Sequence, residues 1–279
     1  MYSARIEFEN GLVWDLNPDS GVVFDIDPLN GIDVNLGLSQ GHQSEGQYVE
    51  SESVGGITRT IRGVFFENSN VLNVLKGIVP FLKGKLFFND NYFCEFHIKK
   101  TPLIKRMKNG KIVFDVVIFC PYPYWYSAEQ STIKIGGYEP SFEFPAEYTE
   151  HVFGVSISGV VVYFTNNGVR QPININMSIT SPLEQIVVGN ALNGKRLVIN
   201  HSFLEGDFVS FYRKNGMVYL DLTRNNATSS IFSSLDDESE LFFIETGENA
   251  LVMASENSES VQAVVFFNEA FAGVVDNEN

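Results

Sequence analysis

A mainly β protein in two domains is predicted by three observations. Apolar residues alternate with polar ones in short runs along the chain, turn-forming glycines separate those runs, and one segment carries apolar residues at helical period. Residues 1–130 read as a β-sandwich or split-barrel-like sheet with one short helix. Residues 146–279 read as an antiparallel β-sandwich, with a linker over 131–145 where Gly136-Gly137, Pro140 and Pro145 cluster.

Ile6 and Phe8 alternate with Arg5 and Glu7, and Asn10-Gly11 turns the chain toward Leu12, Trp14 and Leu16, which predicts an opening hairpin. From Gly37 to Gly56 the chain is polar, Gly- and Ser-rich and almost without apolar periodicity. That composition predicts a long structureless segment, either a surface loop or an arm that orders on a neighbour. After a strand over Thr58–Phe66, Val71, Leu72, Val74, Leu75, Ile78 and Val79 fall on one helical stripe. Ser69 or Asn70 can cap its start, and Pro80 stops it near Val79.

From Phe87 to Tyr126 a strand leads into a basic turn, Lys108-Asn109-Gly110-Lys111, and returns to stop in FCPYPYW, Phe119–Trp125. Asn-Gly readily supplies the two positive φ angles of a type I′ hairpin turn. Pro121 and Pro123 then remove ladder donors and force an extended exit, so this sheet ends near Cys120.

Beyond Tyr126 no comparable helical stripe returns. Ile173, Ile175, Met177 and Ile179 alternate with Asn174, Asn176 and Ser178, a strand with one buried and one polar face. Further strand candidates are Leu197 with Ile199, Phe208 with Phe211, Met217 to Leu222, Leu241 to Ile244, and Val261 to Phe267. The turns between them include Asn193-Gly194, Glu205-Gly206-Asp207, Asn215-Gly216 and Gly247-Glu248-Asn249.

The net charge of −15 is uneven. The first 130 residues hold 12 Lys+Arg and 15 Asp+Glu, giving −3; the remainder holds 7 and 19, giving −12. A general nucleic-acid binder concentrates positive charge on one face, and only Lys99, Lys100, Lys105, Arg106, Lys108 and Lys111 form such a group here. Cys94 and Cys120 lie in apolar strand contexts, which predicts packing residues in a reducing compartment. No amino-terminal export signal and no membrane insertion are expected.

His42, His97, His151 and His201 have no partner at metal-ligand spacing, and no nucleophile elbow, phosphate loop or zinc-protease motif occurs. Asp236-Asp237-Glu238 with Glu240 reads as an acidic solvated loop, with calcium as the alternative. Neither cofactor nor catalytic site is assigned. Tyr122, Tyr124 and Trp125, beside prolines at a domain edge, are candidates for packing between domains.

The order of these features resembles the distal tail protein (Dit) family of long-tailed phages. The residues that carry the likeness are IEFENG near the start, RTIRGVFF at Arg59–Phe66, the short helix, LFFNDNYFCEFHIKK, and FCPYPYW. In the second domain they are YFTNNGVRQPININMSI at Tyr163–Ile179, LEGDFVSFYRKNGMVYLD at Leu204–Asp221, and FFIETGENALVM at Phe242–Met253. The resemblance implies an amino-terminal domain that forms a hexameric ring at the end of the tail tube, and a carboxy-terminal galectin-like or carbohydrate-binding-module-like sandwich. Implied partners are further copies of the chain, the tail tube protein, the tail-associated hub or lysin protein, and receptor-binding or baseplate proteins. The implied location is the virion tail tip, after assembly in the host cytoplasm. Gln43 and Tyr48 on the Gly37–Gly56 segment, and Lys105, Arg106, Lys108 and Lys111 on the basic hairpin, then become candidate contacts to neighbouring subunits or the tube. Recognition of host-wall glycans by the second domain is the alternative reading, and stable DNA binding is not expected.

Overall fold

Alternating side chains become strands nearly everywhere they occur in the computed structural model. It describes residues 2–17, 20–40, 45–66, 69–136, 138–139, 155–156, 161–214, 216–253 and 258–274. The chain divides into two units, Met1–Glu129 with Ala270–Asn279, and Gln130–Glu269.

The first unit contains β1 (Ala4–Phe8), β2 (Val13–Leu16), β3 (Val22–Asp27), β4 (Val34–Ser39), β5 (Tyr48–Val54) and β6 (Ile57–Phe66). Helix α1 (Ser69–Gly77) follows, then β7 (Lys83–Phe88), β8 (Tyr92–Arg106), β9 (Lys111–Cys120) and β10 (Trp125–Ser127). Antiparallel pairing gives the order β2-β1-β7-β8-β9-β6-β3, and β2 and β3 at its two ends come into contact without pairing. The sheet therefore curls toward a barrel split along one seam. Its interior holds Ile6, Phe8, Trp14, Leu16, Ile61, Phe65, Leu86, Phe96, Phe114 and Ile118. Val71, Leu75 and Ile78 join the same core, so the helical stripe buries as its spacing predicts. The helix itself stops at Gly77, two residues earlier than predicted, because residues near a proline are driven out of helical geometry.

In the second unit the strands are β11 (Ser131–Ile135), β12 (Tyr138–Glu139), β13 (Val155–Ser156), β14 (Val162–Asn166), β15 (Gln171–Pro172), β16 (Asn174–Ile179), β17 (Leu183–Asn190) and β18 (Arg196–Phe203). They continue with β19 (Phe208–Lys214), β20 (Met217–Arg224), β21 (Ala227–Ser230), β22 (Phe243–Ile244), β23 (Gly247–Met253) and β24 (Val261–Phe267). A six-stranded sheet, β11-β24-β16-β19-β20-β21, and a four-stranded one, β14-β23-β17-β18, enclose a single core. Ile173, Ile175, Met177 and Ile179 are all buried in it, and Asn174, Asn176 and Ser178 face away.

Two segments depart from the sequence reading. Ser131–Ile135, which it places in a linker, pairs residue for residue with β24, because Ile133 and Ile135 already alternate as a strand. At the other end, β25 (Ala270–Phe271) pairs with β10, and Val274 enters the core of the first unit.

Candidate assembly surfaces

The segment read as structureless forms a two-stranded ribbon among its described residues. β4 pairs with β5 from Val34↔Val54 to Ser39↔Tyr48, with a register shift after Gly37. A Cβ on Gly37 would lie 2.2 Å from Ser51 Oγ, so any larger residue there would turn the Ser51 hydroxyl aside. Every residue of β5 is exposed, and so are Val34, Leu36 and Leu38 at 50% or more. The ribbon is thus an arm with apolar side chains open to solvent, held together by its ladder and by a hydrogen bond from Ser39 Oγ to Tyr48 Oη (3.1 Å). Tyr48 sits at its outer end, 54% exposed. Gln43 lies outside the described residues.

The basic hairpin is built as β8 and β9, with Arg106 opposite Ile112 and Lys105 opposite Val113. The turn differs from the type I′ expectation. Gly110 has a φ of +80°, while Asn109 has no positive φ. Gly110 N donates to Met107 O (3.1 Å) and Met107 N to Lys111 O (2.8 Å), a tight turn closed by a glycine bulge. Asn109 serves instead through its side chain, whose Oδ1 accepts from Lys111 N (3.2 Å). The positive-φ residue pairs occur where no glycine stands, at Asn89-Asp90 between β7 and β8 and at Asn225-Asn226 between β20 and β21. Lys105, Arg106, Lys108 and Lys111 are all exposed. Leu103 (55%), Met107 (48%) and Phe66 (66%) lie exposed among them, and Lys111 Nζ sits 5.9 Å from the Phe66 ring centroid.

Arm and basic turn mark opposite ends of one strand pair. β6 and β9 align from Ile57↔Cys120, where the arm is rooted, to Phe66↔Lys111, where the turn begins.

Within the aromatic terminator, Trp125 is put to a different use from the one expected. Trp125 is fully buried within the first unit's own core. Its Nε1 donates to Leu29 O (2.9 Å), and its ring lies 5.9 Å from Phe88. Tyr122 is 48% exposed and Tyr124 half-buried. Arg59, which sequence inspection assigned no role, fills the space beneath Trp125. It has no exposed surface, stacks 4.8 Å from the indole centroid, and donates to the carbonyls of Pro28, Leu29 (3.2 Å) and Pro123 (2.9 Å). One guanidinium thereby ties the segment that follows β3 to the Pro-rich exit. The signal available in sequence was only an arginine at an inward position, in line with Ile61, Gly63 and Phe65. Beside it, Cys94 and Cys120 are buried with sulfurs 3.7 Å apart, and burial pushes the Cys94 thiol well above its ordinary range. Burial likewise raises the Tyr126 phenol, reinforced by Tyr122, Glu95 and Tyr124.

Among the described residues no group of three or more His, Cys, Asp and Glu side chains could hold a metal ion. The acidic loop is occupied by its own neighbours: Asp236 Oδ2 accepts from Asn200 Nδ2 (2.7 Å), Glu238 pairs with Arg196 (2.9 Å), and Glu240 with Lys195 (3.7 Å). No described helix is long and apolar enough to cross a membrane.

No family model and no curated protein matches this sequence. Among solved structures, the chain is similar to the Dit protein of phage SPP1, described as a paradigm of the hub adsorption apparatus in phages infecting Gram-positive bacteria. The TM-score is 0.68 at 10% identity, over 96% of this chain and 99% of that one. A looser likeness, TM-score 0.46 at 12% identity, is to a chain of the phage p2 baseplate in its activated conformation with strontium, over 96% and 98% of the two chains. The fold, split barrel and β-sandwich together, is that of a phage Dit protein.

Proposed function

We propose that this chain is a structural component of a phage or prophage tail tip. In that role it is a distal tail protein whose first unit forms a hexameric ring hub connecting the tail tube to the tail-associated hub and adsorption proteins. The observation that carries the reading is the likeness to the SPP1 Dit protein over 96% of this chain and 99% of that one. Whole-chain coverage at a TM-score of 0.68 leaves no substantial part of either fold unmatched. The first unit supplies what a ring needs, edge strands β2 and β3 whose ladders are incomplete and an arm with apolar residues uncovered by its own chain. Its work is assembly and no catalytic role is assigned to it. Negative-stain images and native mass measurement of the purified protein test the proposal. Closed rings of six copies support it, and a monomer persisting at high concentration overturns it.

The outer face of the six-stranded sheet favours one second reading, glycan recognition by the second unit. Tyr212 and Tyr219 stack there with centroids 5.2 Å apart and planes 10° from parallel. Beside them, Tyr212 Oη donates to Asp221 Oδ2 (2.9 Å) and Ser210 Oγ to Asn176 Oδ1 (3.1 Å). An aromatic surface bordered by amides, hydroxyls and a carboxylate suits a sugar ring. Binding on an array of wall glycans that disappears in Tyr219→Ala supports this reading, and a blank array removes it.

A further inference from the structure

We propose that Arg170 and Arg213 of the second unit, both stacked on Phe243, form a binding site for a single phosphate monoester. The site gives this unit a small-molecule ligand and is independent of the ring.

Three separate stretches of chain build it. Pro172 of β15 pairs with Phe243 of β22, and Arg170 immediately precedes that short ladder. Arg213 comes from β19, where it continues the inward line of Val209 and Phe211 beyond the core, on the opposite side of the strand from Tyr212. Its backbone is fixed there, since Arg213 N donates to Asn174 Oδ1 (3.1 Å). The guanidinium carbons of Arg170 and Arg213 lie 4.3 and 4.8 Å from the Phe243 ring centroid. Arg170 is exposed, and Arg213 and Phe243 are half-buried, so the cluster opens to solvent.

Two cations gathered on one ring repel each other, and elsewhere in this unit arginines are neutralised. Arg196 pairs with Glu238 and Arg224 with Asp207, as Lys195 does with Glu240. Among the described residues, Arg170 and Arg213 have no carboxylate partner, and their side-chain N–H groups make no hydrogen bond beside the ring contacts. Glu245, the carboxylate nearest Phe243 in sequence, pairs with neither. A ring face holds a guanidinium in place while leaving its donors available, so two forks on one ring bring two charges and several donors together. A phosphate monoester, with about two negative charges at pH 7 and three terminal oxygens, matches that pair; a carboxylate, with one charge, matches a single arginine. The surroundings select against a polyanion. Beyond Gln130 the sequence carries 7 cations against 19 carboxylates, so the rest of the unit repels a long phosphodiester chain far more than a small molecule with one phosphate.

Titration calorimetry on the full-length protein tests the site with three probes: inorganic phosphate, glycerol phosphate and a poly(glycerol phosphate) chain. Glycerol phosphate should bind, and the polymer should bind more weakly per phosphate group. Arg170→Ala and Arg213→Ala should each weaken glycerol phosphate about tenfold or more, and the corresponding lysine variants by less, because lysine keeps the charge and loses the fork. Phe243→Leu, which keeps both charges and removes the ring, should weaken it severalfold. Arg196→Ala, at an arginine already paired with Glu238, should leave the affinity unchanged. Arg170 and Arg213 lie outside the core, so an unchanged melting temperature separates lost binding from lost folding. A wild-type chain that binds no phosphate at millimolar concentration overturns the site. So does affinity that survives Arg170→Ala with Arg213→Ala, or that falls as far in Arg196→Ala. Binding of inorganic phosphate alone overturns the ester, and tightest binding by the polymer overturns the choice of a single phosphate.

Discussion

Gly84 shows at the residue scale how tightly the first sheet is drawn. It lies in β7 between Phe8 of β1 and Phe96 of β8, whose rings meet edge to face 5.7 Å apart. A Cβ there would stand 2.4 Å from the Glu7 carbonyl oxygen and 2.9 Å from Phe96 Cζ. A ring can rotate, but the carbonyl belongs to the neighbouring strand and cannot yield without breaking the ladder. Gly84→Ala should therefore lower stability by about 1–3 kcal/mol, seen as a lower melting temperature. An unchanged melting temperature would show that the strand gives way more easily than its pairing suggests. Asp207 serves the second unit in a different way. Its carboxylate takes Arg224 Nε (2.8 Å) and Nη2 (2.6 Å) as a bidentate pair and Leu204 N (2.8 Å) from the backbone. The Arg224 hydrogen bonds hold its pKa below the ordinary carboxylate value. A depressed folded value stabilises the protein fully above the unfolded pKa of about 4, and that contribution is lost as pH falls through the folded value. Asp207→Asn should melt below wild type at pH 7, with the gap closing on acidification. A gap that stays constant with pH would assign the loss to packing.

Elements show where sequence reasoning succeeds and where it stops. Period-two alternation located β16 because Asn174, Asn176 and Ser178 contrast so sharply with Ile175 and Met177 between them. Helical spacing located α1 for the same reason. The β4–β5 pairing within the arm escaped because neither of its faces is buried. Alternation is the imprint of a core, and a ribbon exposed on both sides carries none. Asn109-Gly110 marks a turn but not its type, since Asn-Gly permits either hairpin geometry and the side-chain bond to Lys111 N accompanies the bulged one. Trp125 and Arg59 were obscured for a third reason: their burial depends on carbonyls from residues 28, 29 and 123, which sequence distance hides. Deleting residues 35–53 from the arm should leave the first core intact, since none of the described residues of Val34–Val54 belongs to it. Ring yield by size-exclusion chromatography should fall at an unchanged melting temperature. Equal ring yield would remove the arm from the assembly mechanism.

At the scale of the whole molecule, charge distribution bears on what passes through such a ring. The sequence up to Gln130 carries 12 cations against 15 carboxylates, while the rest carries 7 against 19. A duplex binds a protein chiefly by exchanging its counterions for lysine and arginine, and a ring lined with cations would hold DNA instead of passing it. The basic group at Lys99–Lys111 is the exception in the first unit. In the proposed ring, burial of these lysines between copies removes a phosphate-binding surface from the chain. The assembled protein should then bind duplex DNA more weakly than the dispersed chain does. Fluorescence anisotropy with a labelled duplex at low salt, on ring and monomer fractions, measures both. Affinity in the ring fraction should be at least about tenfold below that of an arm-deleted monomer, whose lysines remain open to solvent. Tight binding by the ring that falls steeply with added salt would mean that the lysines still face solvent, and a non-adhesive channel would not survive it.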